Sequence, residues 1–153
     1  MYILINNFNI NNVFLDEKQD NNVLYGSDFY RLQYSDENIT LNSIYLKVNL
    51  KNVKFGKYFN KLKCNFKKEY NEQTLIELNS IEKIIIDKYK NILKKKPKYI
   101  IMDQIKQNFI KIFIDNKSIN YEKITEINLI LKISGIWADK NNFGLTFRVL
   151  IPG

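Results

Sequence analysis

The chain contains no histidine among its 153 residues. That absence removes Ser-His-Asp triads, Cys-His pairs and imidazole metal ligands. A single cysteine, Cys64, excludes an internal disulfide and a cysteine-based zinc cluster, and it suits a reducing intracellular compartment. Cys64 lies in KLKCNF on one alternating face with Leu62 and Phe66, so a buried small hydrophobe is expected rather than a nucleophile. The five glycines are scattered and form neither a P-loop nor a dinucleotide fingerprint. No apolar run approaches a membrane span, and the opening MYILINNFNINN lacks the basic region and cleavage site of a signal peptide. Carboxylates are present but ungrouped. Asp16–Glu17, Asp36–Glu37 and Glu122 with Glu126 read as surface charge, and only Asp115 and Asp139 sit at strand ends. Catalysis is not expected, and no cofactor or metal is implied.

What is present is a core-forming, basic chain. Hydrophobic residues make up 45% and aromatics 14%, enough for one folded domain over residues 1–153. The formal charge of +8 favours an acidic partner, nucleic acid first. Abundant Asn, Ile, Lys, Tyr and Phe are also what A/T-rich codons supply, which discounts the charge as evidence of binding.

The period of the apolar residues gives the order of elements. Residues 1–15 hold short apolar runs between Asn pairs, expected as one or two edge strands, and residues 16–22 read as a polar loop. Residues 23–34 suggest a hairpin around Gly26–Ser27–Asp28. Ile44, Leu46, Val48 and Leu50 then alternate with Tyr45, Lys47, Asn49 and Lys51, and a bend is expected at Gly56 before a second basic-faced arm, residues 61–67. Leu75, Leu78, Ile81, Ile85 and Ile92 form a helical stripe, with Asn71 as N-cap and Lys94–Lys95–Lys96 at the end. Residues 109–115 alternate Phe109, Lys111 and Phe113 against Ile110, Ile112 and Ile114.

The hairpin at 127–151 organises the rest. Two alternating arms flank the turn ADKNN. Pairing Trp137 with Phe143 sets Ile133 against Phe147, Leu131 against Val149 and Leu129 against Ile151 on an apolar face. The other face then places Lys132 opposite Arg148 and Ser134 opposite Thr146. Like charges across a ladder repel, so a polyanion over that face would relieve them; two long side chains splaying into water is the plainer alternative.

Single-stranded nucleic acid is held by cations that track phosphates and rings that stack on bases. The candidate residues are Tyr45, Lys47, Lys51, Lys57, Tyr58, Lys63, Lys132, Trp137, Phe143 and Arg148, with Lys54, Phe55, Lys61 and Lys111 interleaved. Trp137 has two readings, a stacking platform or a lid on the core above Ile133 and Phe147.

SIYLKVNLKNVKFGKYFNKLKCNF and LKISGIWADKNNFGLTFRVL, above all Ser134–Gly135–Ile136–Trp137 followed by Gly144–Leu145–Thr146, resemble a protein family of nucleocytoplasmic large DNA viruses. That family is related to the phage replication type of single-stranded DNA-binding protein. The resemblance spans residues 39–151. It implies a mainly β fold, an OB-like five-stranded Greek-key barrel with extra strands and one long inserted helix at about 71–96. It also implies a non-enzymatic protein that coats single-stranded DNA in viral replication or recombination. Its place would be the virus-infected cytoplasm or the virion, with replication proteins or further copies of itself as partners. Phage relatives end in an acidic tail, whereas the chain here stops at Ile151–Pro152–Gly153, so the resemblance does not extend to recruitment through a tail. The alternative is a β-barrel virion or assembly protein whose basic face meets another subunit or packaged DNA.

Overall fold

In the computed structural model, which describes residues 2–20, 27–113 and 120–152, two β-sheets and two α-helices share one apolar core. The strands are β1 (Ile3–Leu4), β2 (Val13–Asp20), β3 (Asp28–Ser35), β4 (Thr40–Leu41), β5 (Ile44–Lys51), β6 (Lys54–Tyr58) and β7 (Lys61–Asn65). Then follow helix α1 (Glu72–Leu93), β8 (Lys96–Lys98), helix α2 (Ile100–Lys106), β9 (Phe109–Ile112), β10 (Glu126–Ala138) and β11 (Asn142–Leu150). The larger sheet runs β1-β5-β10-β11-β8, with β3 also on β10 and carrying β2 and β4; the smaller is β6-β7-β9. The fold is therefore mainly β, and its ladders do not close into a barrel. One backbone bond between the sheets runs from Phe113 N to Val149 O at 2.9 Å; a bond from Val53 N to Thr125 O at 3.0 Å continues the β5–β10 pairing where the chain leaves β5 for β6.

β10 is the shared strand. Glu126–Ile133 pairs with β5, Gly135–Ala138 pairs with β3, and β11 lies along its other edge. A bulge at Ser134 separates the two halves. Lys132 faces Arg148, Ile133 faces Phe147 and Leu131 faces Val149 as the alternation implies. Beyond the bulge the register moves by one, so Trp137 pairs with Gly144, Phe143 with Ala138, and Thr146 with Gly135 instead of Ser134. β11 ends at Leu150 opposite Ile130, so Leu129 and Ile151 are not ladder partners.

The inner faces of both sheets meet the helices. On α1, Leu75, Leu78, Ile81, Ile85, Ile86 and Tyr89 are buried, each worth about 1.5–3 kcal/mol of transfer for the aliphatic ones. Ile92, expected on this stripe, is 70% exposed. Ile92 is seven residues, about 20° of helix rotation, from buried Ile85, so it keeps the direction of the stripe; it lies in the last turn, where Leu93 is the residue that packs on the core. Glu82 occupies a stripe position and is fully buried. Its carboxylate accepts N–H bonds from Ile101 and Met102, both at 2.9 Å, and so caps α2. α2 itself occupies the short apolar stretch after Tyr99.

Asn71 is not a side-chain cap. It is buried, its Oδ1 accepts from Lys51 N at 2.8 Å, and its Nδ2 donates to Lys51 O and Lys67 O, both at 2.9 Å. The amide thus extends the β5 edge and anchors the start of α1 to it. Gly56 lies inside β6; the reversal comes at Phe59–Asn60, where Phe59 has φ 54. β2 continues to Asp20 through residues expected as a loop, bulged between Leu15 and Lys18. There Gln33 Nε2 donates to Asp16 Oδ2 at 2.9 Å, so polar side chains find partners across the ladder. The hairpin expected at 23–34 lies partly outside the described residues, and β3 pairs with β2. Asp115 and Ile114 also lie outside them. Cys64 is buried, and burial pushes its thiol up to about 12.

Candidate nucleic-acid interface

On β5, β10 and β11 the alternation that buries Leu46, Leu131 and Val149 turns Tyr45, Lys132 and Arg148 outward in one row across three strands. The next row is Leu4, Lys47, Ile130 and Leu150, and the next is Asn49 and Asn128, joined by a 3.0 Å side-chain bond. Both helices pack on the inner face and, among the described residues, leave this one open. Along these three strands its one carboxylate is Glu126, at the far edge opposite Lys51.

Three cations on this face lie near rings. Lys132 Nζ is 5.7 Å from the Tyr45 ring centroid, and Lys47 Nζ is 5.7 Å from that of Tyr2. Arg148 Cζ is 4.9 Å from the Phe113 centroid. Lys132 therefore leans toward β5 while Arg148 leans toward the end of β9, and this divergence relieves the repulsion their register imposes.

The bulge at Ser134 decides the side on which Trp137 stands. It exchanges the faces beyond it, so Ile136 and Ala138 are buried and Trp137 shares the outward face with Lys132 and Arg148. Trp137 is half-buried, with its indole lying over Gly144. It does not cap the core above Ile133 and Phe147. On its other flank it pairs with Phe29, whose ring covers Gly135, and Arg31 Cζ is 5.8 Å from the Phe29 centroid. On the far side of Gly144, β8 supplies exposed Lys98 in register.

The smaller sheet continues the pattern. Lys63 faces Lys111 directly, and Lys63 Nζ is 4.4 Å from the Phe109 centroid. Lys61, Lys111, Phe113, Phe147 and Arg148 line a cleft of about 270 Å³ between the sheets. A band of cations and rings thus runs from Lys61 and Lys63 through Arg148 and Lys132 to Lys47, with Trp137 and Lys98 at the upper end.

Of the residues singled out by sequence, Tyr45, Lys47, Lys132, Trp137 and Arg148 come together, Lys63 joins across the cleft, and Lys51 stands at the edge beside Glu126. Lys57 pairs with Leu62, which faces the core, so it lies on the other side of β6 from Lys63. The Tyr58 side chain lies outside the described residues. Phe143 is corrected: it is fully buried on the core face of β11 and offers no surface to a base. Arg31, Phe29 and Lys98 were missed. The lysine run before and after Pro97 hid Lys98, since the helix end already explained it.

Lys18–Asp28 at 4.0 Å and Lys83–Asp87 at 2.8 Å are ion pairs between described residues that lie away from the band. Among the described residues no cluster of His, Cys, Asp and Glu is placed to hold a metal ion. No described helix is long and apolar enough to cross a membrane. No protein-family model, curated protein or solved structure matches the chain.

Proposed function

We propose that this chain binds single-stranded DNA without strong sequence preference and without catalysis of its own. The observation that carries the reading is the outer face of β5, β10 and β11, where Lys47, Lys132 and Arg148 alternate with Tyr45 and Trp137 and, among the described residues, no carboxylate intervenes. Cations would neutralise phosphates and Trp137, with Tyr45, would stack on bases, each stack worth about 1–3 kcal/mol. The OB-like reading of the fold belongs to the same proposal. The bond from Phe113 N to Val149 O ties the end of β9 to β11, as in a partly open barrel. The sequence resemblance supports a role in viral DNA replication or recombination.

Anisotropy of a labelled oligo-dT, compared with a duplex of equal length over a range of salt, tests the reading. Preferential oligo-dT binding is expected, with a log–log salt slope of about −3.5 if five phosphates are neutralised at about −0.7 each. Binding indifferent to salt would overturn the phosphate-tracking mechanism. Absence of binding, with self-association through the basic face, would favour the assembly role.

A further inference from the structure

A second concentration of positive charge lies where α1 ends. Lys90 and Lys94 come from the helix terminus, Lys95 from the turn that follows, Lys96 from the start of β8, and Lys140 from the β10–β11 turn; together they line a cleft of about 560 Å³. The negative end of a helix favours cations within its last turn, which accounts for Lys90 and Lys94. It does not account for three more lysines brought in from other segments. Asp139, beside Lys140, is turned into its own loop, where Oδ1 accepts from Asn141 N at 2.9 Å and Asn142 N at 2.7 Å. Lys95 Nζ donates to the Asp139 backbone carbonyl, which carries no net charge. Among the described residues none of the five lysines is in an ion pair.

This cleft adjoins the band already described. Lys98 pairs with Gly144, over which the Trp137 indole lies, and Lys96 pairs with Asn142 two residues along on the same side of β8. Two strand residues span about 6.6 Å, so Lys96 connects the Trp137 patch to the lysine cleft without a gap.

We infer that the DNA track continues past Trp137, turns over the β8 edge, and places the phosphates of the same strand in the lysine cleft at the end of α1. This rests on the single-stranded DNA reading and makes the bound length a property of two surfaces rather than one. A strand too short to pass Trp137 would not feel the cleft.

The test compares the unaltered chain with the triple variant Lys90→Gln, Lys94→Gln, Lys140→Gln, all at exposed positions. Labelled oligo-dT of about 6 and about 16 nucleotides samples the short and long parts of the range of OB-type sites, about 4–16 nucleotides. For the longer oligomer, affinity should fall about tenfold and the salt slope should become shallower by about 2, at about 0.7 per lysine. The shorter should bind within about twofold of the unaltered chain. Equal weakening of both lengths, or no change in either, overturns the inference while leaving the DNA reading intact. If the unaltered chain binds neither oligomer, both fall. A polyglutamate peptide that competes only with the unaltered chain, with no loss for the longer oligomer, would assign the cleft to an acidic protein and also overturn it. Should the triple variant melt early, Lys140→Gln alone carries the comparison, with a slope change of about 0.7.

Discussion

Trp137 and Gly144 face each other across the β10–β11 ladder, and the missing Cβ of Gly144 is the space the indole occupies. A Cβ there would lie 2.9 Å from the Lys98 carbonyl oxygen and 3.0 Å from the indole Cζ2 and Nε1. The carbonyl belongs to the backbone of β8, so it cannot swing aside. Gly144→Ala should therefore displace the ring and loosen the β8 edge, at a cost of about 1–3 kcal/mol. Tryptophan emission and a urea melt read the two effects; an unchanged spectrum at full stability would show that the indole does not need the glycine.

Lys132 and Arg148 are poised to give opposite signs in two measurements. Replacing both with Gln removes a like-charge cross-strand pair, so stability should hold or rise by about 0.2–1 kcal/mol. Affinity for single-stranded DNA should fall, with the salt slope shallower by about 1.4 for two phosphate contacts. Loss of stability together with affinity would mean that the pair serves the fold.

Glu82 couples acidity to stability. Burial pushes its carboxyl above the usual range, against the pull of the Met102 and Ile101 N–H bonds, and Asp103 nearby pushes the same way as burial. Because the folded value lies above the unfolded one, the group adds stability below about pH 4.3, and this is lost as pH rises through the raised value. Compared with Glu82→Gln, the unaltered chain should lose relative stability between about pH 4 and pH 7. Glu82→Ala leaves two N–H groups of α2 without an acceptor and should cost about 1–3 kcal/mol for each. Urea melts at the two pH values check both statements.

Cys64 should resist alkylation in the folded chain, since burial holds its thiol near 12 and thiolate is the reactive form. Iodoacetamide labelling should follow the rate of opening and become fast only in denaturant. Rapid labelling of the native chain would contradict its burial.

The central register of the hairpin was legible because period-two alternation on both arms leaves few ways to bury Leu131, Ile133 and Val149 together. The bulge was not legible. Gly135 inside a strand pattern is compatible with a bulge but does not say that one occurs or which residue is extra, and that residue moves Trp137 from the core face to the open one. Phe143 was legible as core from its own parity, and aromatic content alone made it a stacking candidate. The Asn71 amide could not be placed because its partners, Lys51 and Lys67, are backbone groups brought near only by the fold. Glu82 had a visible signal, a charge spaced at 78, 82, 85 and 89 on the apolar stripe. β2 was hidden by DEKQD, whose polarity suits a loop until β3 supplies a ladder partner.

The most direct measurement is the emission of Trp137, the chain's one tryptophan, during titration with oligo-dT at low and high salt, with anisotropy of the labelled oligomer recorded alongside. A ring on the open face beside the cationic band should be quenched to saturation at low salt, and the quenching should vanish at high salt. If emission and anisotropy both stay flat at low salt, the band does not hold single-stranded DNA.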